Sequence, residues 1–263
     1  MSLLGAFFLL PLIFMVVGSL KPNERVLAEG DSWRAFIPTS VTGANYVDAF
    51  QQADFLHLFF NSVVITGSIV SISLVINSLF GYALARFRFR GRALLIAVVV
   101  ALIIIPLESY VIPLLYMVAR LQWVDTYQVQ ILPFIANPFY IYLFYTFFLN
   151  LPKELEEAAQ IDGADLWRIF TRVMLPLAGP VFATVAILNF LSSWGQLLWP
   201  IMVTHGPEVR PLPLGVAEFQ TEPPFHWGTV MAFATMMTVP TVAVFILFQN
   251  AFVRGVARSG IKG

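Results

Sequence analysis

Residues 151–180 read LPKELEEAAQIDGADLWRIFTRVMLPLAGP, and they decide what kind of helical protein this is. Pro152 suits a first helical turn, because the N–H it lacks would be unpaired there anyway. Glu154, Glu156 and Glu157 then place negative charge at the positive end of the helix dipole. Ala158 and Ala159 are strong helix formers with almost no side chain. Gly163 is the natural stop, since glycine takes the left-handed conformation without a steric penalty. A second helix is expected beyond it, with Leu166, Ile169, Phe170 and Val173 at i, i+3, i+4 and i+7 forming one apolar stripe, and Pro176 ending it. A helix of about ten residues is marginal alone in water. One with a small-residue face and acidic flanks needs a partner surface. Small side chains admit another backbone closely, and Glu157 and Asp162 can take Arg or Lys from that partner. A linker lying on lipid headgroups fits less well, because such helices carry basic polar faces and this one is acidic.

The rest of the chain places that loop beside a bilayer. Of 263 residues, 59% are hydrophobic and 11% charged, against about 45–50% and about 25% in ordinary globular domains. So few charges could not cover a compact soluble chain of this size. The 25 Phe residues exclude disorder, which goes with a shortage of aromatics. Fifteen basic and 15 acidic residues give a net charge of zero, so nucleic acid is not an expected partner. There is no cysteine, hence no disulfide framework, thiol nucleophile or thiolate metal site.

A hydrocarbon core of about 30 Å needs roughly 20 apolar residues of helix. Six segments qualify, 3–20, 56–84, 93–118, 129–149, 177–203 and 229–252, each free of Lys and Arg. The first has no basic residue ahead of it and no small-x-small cleavage pattern behind it, so it is read as a retained helix. Arg86, Arg88, Arg90, Arg92, Lys153, Arg168, Arg172, Arg254, Arg258 and Lys262 fall on one side. Lys21, Arg25, Arg34, Arg120 and Arg210 fall on the other. That imbalance predicts both termini, and the 151–176 loop, in the cytoplasm. Segments 22–55, 119–128 and 204–228 then face outward. The last carries Pro207, Pro211, Pro213, Pro223 and Pro224 among Leu212, Leu214, Val216 and Phe219. Its apolar residues either pack on the membrane domain or offer a docking surface to an external protein. No second domain and no internal repeat is visible, so 1–263 is read as one membrane domain.

Polar residues inside a span are functional candidates, because unpaired polar groups are costly in hydrocarbon. Ser62, Thr66, Ser73 and Asn77 fall within about 60° of one another on a helix. They either line a cavity or hydrogen-bond neighbouring helices. Glu108 lies between Pro106 and Pro113, where a buried carboxylate would cost about 2.5–3.5 kcal/mol on insertion scales, so it must face protein or water. Asn189, Trp194 and Gln196, with Ser192, Ser193 and Trp199, mix amides with aromatic faces, a combination suited to binding sugars. Trp is also a common interfacial anchor. Enzyme readings fail on inventory. His57, His205 and His226 are dispersed, with no HExxH spacing, and no GxxxxGK[ST] occurs, so any ATP is hydrolysed by a different polypeptide.

The run Glu157-Ala158-Ala159-x-x-x-Gly163, followed by Val173 and Leu175-Pro176, resembles the EAA loop of ABC importer permeases, with Val173 where that pattern has Ile. Asn61-Ser62, the Tyr82-Ala83-Leu84-Ala85-Arg86-Phe87-Arg88-Phe89 stretch, Ile161-Asp162-Gly163-Ala164, Leu198-Trp199-Pro200, Leu212-Pro213 and the Lys262-Gly263 terminus are similar to the carbohydrate-uptake branch, the maltose-permease G-type subunits. Two places depart from that branch: Trp194-Gly195-Gln196-Leu197 stands where Trp-Asn-Glu-Phe is frequent, and Gln249-Asn250-Ala251-Phe252-Val253 where Gln-Arg-x-Phe-Val is. The resemblance implies an all-α membrane protein of six transmembrane helices in a bacterial or archaeal inner membrane. It further implies a second homologous permease, two ATP-binding subunits carrying ATP and Mg, and an extracytoplasmic solute-binding protein. This chain would bind no cofactor. Glu157, Ala158, Ala159, Asp162 and Gly163 would form the coupling contact, and the cargo would be a sugar or polyol. The rival expectation is a secondary transporter or channel working without ATP, which calls for a charged or broken-helix ion site at mid-membrane and repeated halves.

Overall fold

A computed structural model describes residues 2–220 and 225–260. Pro223, Pro224, Lys262 and Gly263 lie outside the described residues, and so do the sequence expectations placed on them. Among the described residues every regular element is helical. In chain order they are α1 (Ser2–Ser19), α2 (Asn23–Ala28), a 3-10 turn (Trp33–Phe36), α3 (Ala44–Gln52), α4 (Phe55–Arg86), α5 (Arg92–Ile103), α6 (Leu107–Arg120), α7 (Tyr127–Ile131) and a second 3-10 turn (Leu132–Phe134). There follow α8 (Pro138–Leu149), α9 (Glu154–Ile161), α10 (Leu166–Arg168), a π-helical turn (Ile169–Met174), α11 (Leu175–Leu177), α12 (Gly179–Trp194), α13 (Leu198–Val203), α14 (Leu212–Gly215), a 3-10 turn (Val216–Gln220) and α15 (Trp227–Gly260).

Two helices are each long and apolar enough to cross a membrane, α4 with 32 residues and the Trp227–Phe248 part of α15. Three expected spans are not single rods. The 93–118 segment is two helices, α5 and α6, meeting at 103°. Pro106, extended at φ −74° and ψ 155°, explains the break, because the residue before a proline is pushed out of the α region. The 129–149 segment bends by 41° ahead of α8. There Asn137 is extended and its side chain caps the new helix by accepting from Phe139 N, with Pro138 at the first position, where its missing N–H costs nothing. In the 177–203 segment α12 ends at Trp194 and α13 resumes at Leu198, while α12 meets the helical stretch before it at 76°.

The chain forms two compact units. The first comprises Met1–Val64 and Trp194–Val244. In it Lys21 is buried, its ammonium 2.9 Å from a Glu29 carboxylate oxygen and donating to Arg34 O. Hydrogen bonds from Lys21 and then Thr39 hold the Glu29 carboxyl below its usual range. Asn45 donates to Ser19 O and Lys21 O at 2.8 and 2.6 Å, tying α3 to the end of α1. The proline-rich segment packs within the same unit: Leu212, Pro213, Leu214 and Phe219 are buried. The Phe219 and Phe233 rings lie 5.5 Å apart. Those apolar residues therefore serve the protein's own core, the first of the two readings weighed from the sequence.

The second unit comprises Ile65–Ser193 and Phe245–Gly263. Its core gathers Tyr82, Phe144, Phe148, Ile169, Phe170 and Met174, with Tyr82 5.4 Å from the Phe148 ring and 5.1 Å from the Phe170 ring. Helix α4 reaches α8 at Gly81. A Cβ there would stand 2.5 Å from Phe144 Cβ and 2.8 Å from Tyr145 N, so only glycine permits the approach.

Candidate functional site

Helix α9 begins at Glu154, with Pro152 before it rather than in its first turn, so the proline marks the entry to the helix instead of its first winding. The C-terminus closes as expected. Gly163 sits at φ +78°, its N–H donates to Gln160 O at 3.0 Å, and Ala164 N–H donates to Ala159 O at 2.9 Å. That is the Schellman arrangement, which satisfies carbonyls the helix would otherwise leave unpaired.

No residue of α9 is buried. Glu157, Ala158, Asp162 and Gly163 are exposed and Ala159 is half-buried. Ile161, Leu166 and Trp167 beside them are 87%, 56% and 64% exposed. An acidic, small-sided edge flanked by bare apolar side chains is the pattern of a surface awaiting a partner.

Beyond Gly163 the structure corrects one expectation. Leu166 of the expected stripe faces out, while Ile169, Phe170 and Met174 are buried. The cause is the π-helical turn, whose i to i+5 spacing brings Met174 under Ile169, where a regular helix would bring Val173. Pro176 stands one residue short of the helix end: the stretch stops at Leu177 and turns by 76° into α12.

What fastens α9 is a feature the sequence did not reveal. Arg86, the last residue of α4, donates from Nη2 to Leu151 O at 2.8 Å, and its Nε lies 3.3 Å from Glu156 Oε1. Arg86 stands in the Tyr82–Phe89 stretch that carried the resemblance, and Glu156 in the acidic run. Neither position, taken alone, announces the pairing. Arg92 closes the same helix end, donating from Nε to Leu84 O at 2.7 Å.

The polar stripe of α4 faces protein. Ser62, Thr66, Ser73 and Asn77 are all buried. Ser62 Oγ accepts from Leu212 N at 2.7 Å. Asn77 donates to Ser73 O and to Ser73 Oγ at 2.6 Å each and to Ile135 O at 3.2 Å. Its Oδ1 accepts from Asn137 N at 2.9 Å. Asn77 thus supplies partners to backbone freed where the chain bends ahead of α8, the usual way a broken helix is tolerated in lipid. Next to Ser62, Asn61 donates to Glu208 O and Arg210 O, both at 3.0 Å.

Glu108 is exposed in the first turn of α6, immediately past the 103° break, where the helix dipole favours a carboxylate. Asn189 is 3% exposed. Its Oδ1 accepts from Ser193 Oγ at 3.2 Å, and its buried Nδ2 has no hydrogen-bond partner. Trp194 is buried, donating from Nε1 to Met237 O at 3.0 Å, with its ring edge-on to Phe59 at 5.9 Å. Gln196 is half-buried in the break between α12 and α13. Trp199 is fully buried, so it packs within the chain and is no interfacial anchor. Among the described residues no three His, Asp or Glu side chains gather where they could hold a metal ion.

Known proteins match this chain over nearly its whole length. The family described as binding-protein-dependent transport system inner membrane component matches residues 77–258. The arabinooligosaccharides transport system permease protein AraQ of Halalkalibacterium halodurans is 37% identical, over 96% of this chain and 91% of its own. The trehalose transport system permease protein SugB of Mycobacterium tuberculosis is 33% identical, over 100% and 95%. The trehalose/maltose transport system permease protein MalG of Thermococcus litoralis is 32% identical, over 99% and 94%. A solved bacterial ABC transporter involved in the import of alginate contains a chain with a TM-score of 0.82 at 24% identity, covering 95% of this chain and 94% of that one, which establishes a shared fold. The apolar helices, the permease fold and the match across residues 77–258 lead to one conclusion: this chain is a multi-pass membrane protein belonging to the family of binding-protein-dependent transport system inner membrane components, the non-catalytic permease subunits of ABC importers.

Proposed function

We propose that this chain is the permease subunit of an ATP-driven importer for sugars or related polyols. In this reading 1–263 is a single permease domain of six spans with both termini in the cytoplasm of a bacterium or archaeon. It pairs with a second, homologous permease. Two ATPase subunits carrying ATP and Mg dock beneath, one of them receiving Glu157, Ala158, Ala159, Asp162 and Gly163. A solute-binding protein delivers cargo from outside. The observation that carries the coupling role is the open edge of α9: a helix with none of its residues buried, ended by a left-handed Gly163. Closure of the ATPases would move that helix and rock the membrane helices between inward-open and outward-open states. The sugar cargo rests on relatives that handle arabinooligosaccharides, trehalose and maltose.

For the pathway we assign Glu108, Asn189, Trp194 and Gln196 as the residues nearest to a cargo role. Ser62 and Asn77 serve it indirectly by holding helix ends and breaks, with Thr66 and Ser73 buried on the same stripe. Glu108→Gln is expected to change the KM for uptake, or the ATP hydrolysis that cargo stimulates, by about tenfold, the worth of one hydrogen bond to a charged group. Unchanged kinetics would make it a structural residue.

The function as a whole is tested by purifying the chain with its neighbouring ATPase and permease into proteoliposomes. Uptake of arabinotriose, maltose and trehalose is then followed with the binding protein present. ATP-dependent uptake of a sugar is the expected result. Uptake driven by an ion gradient without ATP would favour the secondary-transporter reading instead.

A further inference from the structure

We infer that Arg86 and Glu156 form a strut that makes α9 and α4 move as one body, so that a displacement of the short helix becomes a displacement of the long one. The inference rests on the reading of α9 as the ATPase-docking helix. It addresses what that reading leaves open, namely how a helix of eight residues with none of them buried could transmit force to anything.

Backbone connection alone would not do it. Leu151–Lys153 on one side and Asp162–Asp165 on the other are non-helical, and short loops absorb motion. Packing helps only in part, because Ala159 and Ala164 touch the core cluster while the rest of α9 stands clear of it. The polar contacts are different in kind. The Arg86 and Glu156 side chains are 5% and 14% exposed. Arg86 Nε and Glu156 Oε1 are both buried and neither has a hydrogen-bond partner, so what each has is the opposite charge of the other at 3.3 Å. Breaking such a pair strands a buried charge, which is far costlier than losing an exposed contact.

A second bond reaches across the same joint, from Arg86 Nη2 to Leu151 O at the entry to the α9 loop. Tyr82, one turn earlier on the same face of α4, is locked against Phe148 and Phe170, which anchors the helix end that carries Arg86. Helix α4 then runs 32 residues without interruption, about 48 Å at helical rise, longer than the hydrocarbon core. A contact at its foot therefore acts on an unbroken helix long enough to span that core. Both side chains are positioning residues: neither needs to touch cargo or ATPase.

The chain has no cysteine, so spin labels can be placed cleanly at F80C on α4 and Q160C on α9, both exposed positions. Their separation is measured in the full chain alone in nanodiscs, and in the complex both nucleotide-free and trapped with ATP and vanadate. In the native background the separation should be narrow and the same in all three. In Glu156→Gln it should broaden in the chain alone and shift by about 2 Å or more between the two complex states. The swap R86E/E156R restores the charge pair and Arg86→Lys keeps it, but both lose the Leu151 bond, so both should fall between. A Glu156→Gln separation matching the native one in chain and complex would overturn the strut. Failure of the docking reading looks different: the chain-alone broadening persists, while the ATPase copurifies undiminished with Gly163→Pro.

Discussion

Gly163→Pro is expected to abolish ATP-driven uptake while leaving the amount of protein in the membrane unchanged. Gly163 is held at φ +78°, and proline is confined near −65°, so the turn that ends α9 cannot form. The substitution also deletes the N–H that Gly163 donates to Gln160 O. The local cost is about 3 kcal/mol or more, yet it falls on an exposed segment, outside the core that supports the membrane helices. Glu157→Lys should give the same functional loss by another route. Its side chain is exposed, and reversing a charge in a first helical turn costs only about 0.3–1 kcal/mol of helix stability, so folding survives while the sign presented to the partner is inverted. Uptake assays alongside membrane immunoblots check both variants. Normal uptake in both would remove α9 from the coupling path.

The second large effect is on the fold. Gly81→Val is expected to empty the membrane of this protein, and Gly81→Ala to lower its melting temperature. The atoms a new Cβ would meet are Phe144 Cβ at 2.5 Å, Tyr145 N at 2.8 Å and Ile141 O at 3.0 Å. All three belong to the α8 backbone or its first side-chain atom, and none can swing aside as the tip of a long side chain would. Helices α4 and α8 must therefore separate. Overpacking of this kind costs about 1–3 kcal/mol for a single methyl, and the larger valine would pull apart the contact that also aligns Tyr82 with Phe148. Thermal unfolding of the purified variant in detergent reads the effect. A Gly81→Ala protein as stable as the native one would show that the approach is looser than it looks.

The sequence made the short elements legible where one residue type has one physical use. Gly163 as a left-handed stop and the acidic start of α9 followed from local chemistry and stand as expected. The breaks did not. Hydropathy reports that 93–118 is apolar throughout, but not that Pro106 turns it through 103°, because a proline in a membrane helix can either kink it or end it. The same blindness applied to the apolar stripe ahead of Pro176, where a π turn sets which face is buried.

The candidate site divides in the same way. Exposure of Glu157, Ala158, Asp162 and Gly163 was readable from an acidic, small-residue pattern that no core would accept. The Asn77 bonds to Ile135 O and Asn137 N were not, since the unpaired backbone it serves exists only once the chain bends. The Arg86–Glu156 pair was hidden for a further reason. Four arginines stand at 86–92 and three glutamates at 154–157, and only the fold selects one of each.

The central claim is that the exposed edge of α9 meets an ATPase, and one measurement addresses it directly. In a chain without native cysteine, Ala158→Cys can carry a single benzophenone photolabel, which bonds to whatever lies within reach. Irradiated in the assembled complex, it should yield an adduct with the ATPase subunit as the main product. Adducts with lipid alone, or none with any protein, would contradict the account.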